Sequence, residues 1–333
     1  MSAFEKVDIR DYASVDDLAA HFMRRIDRPA YRIKAMPECE NCHLRRTWLC
    51  CQGCMGYKMV EIGKMNAERG ERIGFARREP MNENTIERIG MALADRAYAY
   101  RLFHVALGAE PNAEELDVLA SEQTRAVFGR LAGSDVAKAK RLATWDEGLK
   151  VDSTCSDALT RMVELCAVLG ERQANDPAYA DAMKVAFNKL FMVPGGSYVY
   201  PWESPYLGKD ATLFKESTLD VRERYAKYGF EAEMKGHFPE DHIAMMMQFL
   251  ACLADESYEA FADGDDARVR ELLGAQQAFL LAHVGEWLEA FNEELYRKDE
   301  SGVFFQTVES LRAFVACDVD FVGELVASGE LEG

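Results

Sequence analysis

The distribution of proline is the feature of this chain that most restricts its fold. The sequence contains 9 prolines, and four of them lie in one central region: Pro194, Pro201, Pro205 and Pro239. Proline lacks a backbone N–H and fixes φ, so it is excluded from helix interiors. The long proline-free stretches on either side are rich in Ala, Leu, Glu, Arg and Met, which favour helix. The sequence therefore predicts an all-α fold with one irregular region near its middle.

Apolar residues at helical spacing predict a bundle of about nine helices. We expect these helices near residues 84–107, 112–130, 136–149, 155–171, 177–191, 210–228, 239–262, 266–296 and 304–328. We find no alternating β pattern of useful length and no internal repeat. A long loop at about 192–209 lies within this series, and loops of such length in a bundle tend to be functional.

The central loop carries aromatic and charged side chains that a simple turn does not need. Residues 199–207 read VYPWESPYL. Aromatic rings supply apolar contact area with polar tips, and a carboxylate can receive a guanidinium group through two hydrogen bonds. A second segment, PEDH at 239–242, suits the first turn of a helix, because proline and acidic residues favour the N-terminal end.

Several segments of the chain resemble the TorD/DmsD/NarJ family of chaperones, which assemble molybdenum-containing respiratory oxidoreductases. The two central segments are similar to the family's signature, and RAYAYRLF at 96–103 resembles its first core helix. The residues that resemble the family's late helix are Phe279, His283, Trp287 and Phe291. This stripe also fits an amphipathic helix face packed in the core. The resemblance covers roughly residues 84–325.

The resemblance implies a cytoplasmic, TorD-like chaperone that acts by stoichiometric binding and is not an enzyme. It implies that the partner is a molybdopterin oxidoreductase of the dimethyl-sulfoxide-reductase type, in anaerobic respiration. The chaperone would bind the twin-arginine leader peptide of this catalytic subunit and hold it until cofactor insertion, before export. The residues that we expect to bind the peptide are Tyr200, Trp202, Glu203, Ser204, Tyr206, Leu207, Glu240, Asp241, His242, Met245 and His283. No cofactor is expected in the helical domain.

The same residues also have structural interpretations, which the sequence leaves open. The loop can be packed onto the core, with Trp202 buried and Glu203 accepting backbone N–H groups. Asp241 can cap the following helix while His242 packs against a neighbouring helix. Met245 begins a run of three methionines, which suits either the core or an apolar groove. Since consecutive helical residues lie about 100° apart, we expect at least one of the three to face away from the core.

The uneven distribution of charge excludes some classes of partner. Residues 1–80 hold 15 Lys and Arg against 12 Asp and Glu, whereas residues 81–333 carry a balance of −21. A body this acidic repels nucleic-acid phosphates and attracts a basic peptide.

The first 20 residues lack an apolar h-region, and no run approaches the roughly 20 apolar residues of a membrane span. We therefore expect a cytoplasmic protein, as a monomer or a homodimer.

The N-terminal part contains a separate cysteine-rich segment. The candidate metal ligands are Cys39, Cys42, Cys51 and Cys54, with Cys50 or His43 as alternatives. Each C-x2-C pair can place two thiolates on one tetrahedral zinc ion, although the connector is shorter than in usual zinc ribbons. An iron–sulfur cluster and free thiols are the alternatives. We interpret residues 1–80 as a metal-binding module with a linker, followed by an all-helical domain at 81–333.

This segment leaves a second function open, namely a metal or iron–sulfur redox protein whose chemistry lies at the Cys39–Cys54 cluster. No substrate-binding motif accompanies the cluster, and the chain has no GxGxxG or P-loop pattern. A metal-dependent regulator that contacts DNA is a third possibility, against which the acidic body argues. The remaining cysteines lie on helical patterns, and we expect them to be small core residues: Cys155, Cys166, Cys252 and Cys317.

Overall fold

A computed structural model of the protein describes residues 83–146, 148–207, 213, 216–230 and 239–331. In this part of the chain the helices are α1 (Glu83–Gly108), α2 (Ala113–Leu119), α3 (Glu122–Gly133), α4 (Asp135–Ala139), α5 (Cys155–Asn175), α6 (Tyr179–Phe187), α7 (Glu216–Lys227), α8 (Ile243–Asp263), α9 (Asp266–Phe279), α10 (Leu288–Lys298) and α11 (Val303–Ala327). Strands β1 (Arg141–Asp146) and β2 (Leu149–Thr154) form an antiparallel hairpin between α4 and α5. The described residues are mostly helical, as the sequence predicts.

Local sequence signals set several of the helix ends. Asn112 and Glu115 form a capping box at the start of α2, and Thr154 and Asp157 form one at the start of α5. Each box satisfies two backbone N–H groups that have no partner within the helix. Helix α8 ends at Gly264, whose φ of 77° lies in the left-handed region that glycine adopts without a steric penalty.

The hairpin replaces the helix that the sequence predicts at 136–149, and that prediction was wrong. Helix α4 ends at Ala139, and the chain then enters β1. The Trp145 ring stacks on Tyr296 of α10 with ring centroids 4.8 Å apart, and the backbone N–H of Trp145 donates to Oε1 of Glu309 of α11 over 3.3 Å. Strand preference depends strongly on such tertiary contacts. Packing against α10 and α11 therefore decides the local structure here.

Two of the predicted helices contain short π-helical turns. One turn, Asn188–Met192, follows α6, and the other, Leu280–Val284, follows α9. The prediction of one continuous helix at 266–296 was therefore wrong, because α9 and α10 are separate helices. Short π-helical turns are rare in proteins, and those that occur are often found at functional sites.

Helices α1 and α8 pack along each other and make the most extensive contact between helices in the described structure. Phe249 of α8 packs on Tyr225 of α7 and on Phe279 of α9, with centroid distances of 4.7 and 5.0 Å. Because different neighbours cover different faces of α8, all three methionines at 245–247 are buried. The expectation that one of them faces away from the core was wrong.

A buried polar network links four helices inside this body. Arg96 of α1 donates to Asp318 of α11 through two guanidinium nitrogens and to Gln276 of α9 over 2.8 Å. Tyr100 also donates to Asp318, and Gln276 donates to Ser257 of α8 over 2.8 Å. A buried ion pair of this kind makes each partner dependent on the other, because a lone charge in the core is costly.

No helix in the described ranges is long and apolar enough to cross a membrane.

Candidate functional site

The central loop and the residues before α8 are joined through their main chains. We call residues 199–207 the motif loop. Trp202 and His242 form an isolated antiparallel bridge. Beside this bridge, the N–H of Glu203 donates to the carbonyl of Asp241 over 3.1 Å. The two segments that carry the family signature therefore form a single structural unit.

The carboxylate of Asp241 holds the motif loop in place. Its Oδ2 accepts the N–H of Ser204 over 2.8 Å, and its Oδ1 accepts the hydroxyl of Thr218 of α7 over 3.2 Å. Asp241 and Ser204 are fully buried. Hydrogen bonds to an ionised acceptor are stronger than those between neutral groups. Asp241 thus ties the motif loop, α7 and the start of α8 together.

Glu240 is anchored to α7 by a second set of contacts. Arg222 donates from Nε and Nη2 to the two carboxylate oxygens, over 2.8 and 2.9 Å. The hydroxyl of Tyr225 donates to the Glu240 carbonyl over 3.1 Å. The Glu240 side chain is buried and that of Arg222 is partly exposed. This paired fork is the strongest geometry available to an arginine and a carboxylate.

His242 is the N-cap of α8, a role that the sequence analysis considered for Asp241. Its Nδ1 accepts the N–H of Ala244 over 3.1 Å, which fixes the neutral ring with the proton on Nε2. Trp202 meets this ring edge-on at a centroid distance of 5.0 Å. Burial, together with the nearby His104, lowers the pKa of His242 to about 3. His242 is therefore a neutral structural group at physiological pH.

His283 connects the motif loop to α7. Its Nδ1 lies 3.2 Å from Oε1 of Glu203, and its Nε2 lies 2.7 Å from Oδ2 of Asp220. Burial raises the pKa of Glu203 and outweighs the opposing effect of His283. At Asp220 the slight burial acts in the same direction, but hydrogen bonds from Arg224 and His283 outweigh it and lower the pKa. His283 thus links the buried carboxyl group of Glu203 to the half-exposed carboxylate of Asp220.

Aromatic contacts position the end of the motif loop. Tyr206 stacks on Trp287 with ring centroids 5.5 Å apart, and its hydroxyl donates to the carbonyl of Tyr200 over 3.0 Å. The indole N–H of Trp287 donates to the carbonyl of His283 over 2.7 Å. Leu207 follows and is exposed. The loop therefore ends in an apolar side chain that faces solvent on a rigid base.

The structure brings the residues predicted to bind peptide together, but it buries most of them. The buried ones are Glu203, Ser204, Glu240, Asp241, His242, Met245 and His283, while Tyr200, Trp202 and Tyr206 are partly buried. The carboxylates of Glu203 and Asp241 have protein partners in this conformation. A direct contact between either one and an incoming arginine requires those partners to be exchanged.

Helix α7 has no role that the sequence alone predicts, although it forms one side of the candidate site. Two of its residues contact the segment before α8: Thr218 binds Asp241 and Arg222 binds Glu240. A third residue, Asp220, contacts His283. No motif marks these residues, because their role depends on how α7 packs beside the loop. Closeness in sequence to the motif loop is the one signal that the sequence offers for these residues.

The predicted metal ligands at Cys39–Cys54 lie outside the described residues, as does the proposed module at 1–80. Within the described ranges no group of three or more His, Cys, Asp or Glu side chains is arranged to hold a metal ion. The expectation of core cysteines is confirmed for Cys155 and Cys166, which are buried, whereas Cys252 and Cys317 are half-buried and pack against the core from its edge.

Comparison with known proteins shows what the chain is similar to. The profile of the family described as "Nitrate reductase delta subunit" matches residues 151–293, which include the motif loop and α8. The chaperone protein TorD of Vibrio vulnificus is 27% identical over 227 residues, which cover 68% of this chain and 94% of the relative. The TorD proteins of Aliivibrio fischeri and Vibrio cholerae are 25% and 27% identical over 228 and 202 residues, covering 68% and 60% of this chain and 94% and 88% of the relatives. These matches confirm the resemblance of the chain to the TorD/DmsD/NarJ family.

Proposed function

We propose that this protein is a redox-enzyme maturation chaperone that binds the twin-arginine leader peptide of a molybdopterin oxidoreductase. The observation that carries the proposal is the hydrogen-bonded junction between the motif loop and the residues before α8. The two segments that the family resemblance assigns to peptide binding are distant in sequence, yet they form one rigid unit. A preorganised surface of this kind lowers the entropic cost of binding.

The chemistry of such a leader matches the chemistry of this region. A twin-arginine leader carries two guanidinium groups followed by an apolar stretch. Residues 81–333 carry a balance of −21, which attracts the basic part of the peptide. The exposed Leu207 and the partly buried Trp202 and Tyr206 offer apolar and aromatic area to the rest.

The proposed activity is binding without chemical turnover. One chaperone molecule holds one leader in the cytoplasm, so that the client is not exported before its cofactor is inserted. The client we propose is an oxidoreductase subunit of the dimethyl-sulfoxide-reductase type. Its release follows from the completed fold of the client rather than from a reaction at the chaperone.

Titration calorimetry of the purified full chain against twin-arginine leaders of molybdoenzymes from the same organism tests this proposal. A matched peptide with both arginines replaced by glutamine is the control. We expect a dissociation constant in the micromolar range or below for the native leader, weaker binding at higher salt, and a large loss of affinity for the control. Equal binding of the two peptides, or no binding to any leader, overturns the proposal.

A further inference from the structure

We infer that Asp220 of α7 receives an arginine of the leader peptide and that Arg224 occupies this carboxylate until the peptide arrives. The inference rests on the proposed function and assigns the charged contact to a residue outside the two signature segments. Asp220 touches the site through His283, whose other ring nitrogen contacts Glu203 of the motif loop.

Exposure distinguishes Asp220 from the other carboxylates of the site. Glu203, Glu240 and Asp241 are at most 1% exposed, and each has a hydrogen-bonding partner inside the protein. The side chain of Asp220 is 46% exposed. A peptide arginine can reach it without first opening the motif loop. The peptide arginine also loses less of its hydration at Asp220 than it would in the buried part of the site.

The hydrogen bonding of Asp220 leaves room for a guanidinium group. Arg224 Nε and His283 Nε2 both contact Oδ2, at 3.0 and 2.7 Å. Among the described residues, Oδ1 has no hydrogen bond. The lowered pKa of Asp220 keeps the carboxylate ionised at neutral pH. An incoming arginine can therefore bind Oδ1 and replace Arg224 at Oδ2, which forms a paired fork.

The pair that must be broken is a weak one. Asp220 and Arg224 lie four residues apart on the surface of α7, and their side chains are 46% and 35% exposed. Exposed pairs of this spacing contribute little to stability, since water solvates both charges. Arg224 is thus an intramolecular competitor that a peptide arginine can displace at low cost.

Exposed leucines occur on each of the three segments that meet at this part of the site. Leu219 precedes Asp220 and is 54% exposed, Leu281 lies two residues before His283 and is 57% exposed, and Leu207 of the motif loop is 39% exposed. An exposed carboxylate on segments that also expose leucines matches a ligand that carries a cation followed by an apolar stretch. The occupant that fits both features is the leader peptide itself.

The test compares leader affinities of Asp220→Asn and Arg224→Gln in the full chain by titration calorimetry. The matched controls are Glu293→Gln and Arg297→Gln, which remove the partners of an ion pair of the same spacing on α10. Asp220→Asn should weaken binding about tenfold, because a charge-assisted contact is lost. Arg224→Gln should strengthen binding about twofold, because the competing pair contributes only a few tenths of a kcal/mol.

The opposite changes in leader affinity expected for the two variants distinguish docking of the peptide at Asp220 from a structural role of this residue. Each control makes the same change in net charge as its test variant, and we expect control affinities close to wild type. If Asp220→Asn and Arg224→Gln bind like their controls, or both weaken binding, the inference is overturned while wild-type binding still supports the proposed function. If the wild-type protein binds no leader, the proposed function and the inference fall together. Circular dichroism melts verify that each variant remains folded.

Discussion

Replacing His242 with asparagine tests the neutral, buried state of the N-cap at the centre of the site. In the native protein, Nδ1 of His242 accepts the N–H of Ala244 over 3.1 Å. Asparagine is a favoured N-cap whose side-chain oxygen can accept the same hydrogen bond. The His242→Asn variant should therefore keep the cap and remove the titrating ring. Its stability at pH 7 should be lower only because some packing against Trp202 is lost.

The pH dependence of this variant follows from linkage. Burial lowers the pKa of His242 from 6.5 to about 3 in the folded protein. The unfolded chain therefore binds a proton at this residue between these pH values, while the folded protein does not. The stabilising contribution is complete above pH 6.5 and is lost as the pH falls, which amounts to about 2 kcal/mol between pH 7 and pH 5. The variant should lack this loss.

Urea denaturation followed by circular dichroism measures the effect, with wild type and variant compared at pH 7 and pH 5. The wild-type free energy of unfolding should fall by about 2 kcal/mol more than that of His242→Asn over this interval. Ser121→Asn is the control, because it exchanges the N-cap of α3 without changing a titrating group. It should follow the wild-type pH dependence. An identical pH dependence for wild type and His242→Asn would refute the assignment of a buried neutral ring.

The same urea assay at pH 7 measures three further predictions. Asp318→Asn should lower the free energy of unfolding by about 3–5 kcal/mol, because Arg96 keeps a buried charge without its counterion; a loss below about 1 kcal/mol contradicts this. Gly264→Ala should destabilise by about 1–2 kcal/mol at its φ of 77°, whereas Gly129→Ala, in the open interior of α3, should stabilise by about 0.5–1 kcal/mol; equal effects would argue against the left-handed cap. Thr218→Val should cost about 1 kcal/mol by removing a hydrogen bond to the carboxylate that holds the motif loop, and no change would exclude that bond.

Much of the helical architecture could be predicted from the sequence, because periodicity and capping residues act locally. The cap of α5 at Thr154 and the end of α8 at Gly264 follow from the residue types themselves. The hairpin at 141–154 could not be predicted, since packing of Trp145 on α10 outweighs the local helical pattern. The π-helical turn at Leu280–Val284 has no sequence signature of its own.

The sequence indicates which segments form the candidate site, but it does not reveal the contacts that their residues make. The motif loop and the segment before α8 were recognised together, and the structure joins them. The Glu203 side chain contacts His283, 80 residues away, and the Asp241 side chain accepts a hydrogen bond from Thr218 of α7 as well as one from Ser204. Contacts between residues this far apart arise from helix packing, which single-sequence patterns do not encode. For the same reason Asp220 received no role from the sequence.

Hydrogen exchange of the full chain, with and without a saturating twin-arginine leader, shows whether the leader binds at the motif loop and α7. We expect slower amide exchange in the motif loop, in α7 and at the start of α8, between residues 239 and 250. A leader with both arginines replaced by glutamine should leave these segments unchanged. If the native leader binds and protects only other parts of the chain, the motif loop and α7 are not its binding site, and the account is contradicted.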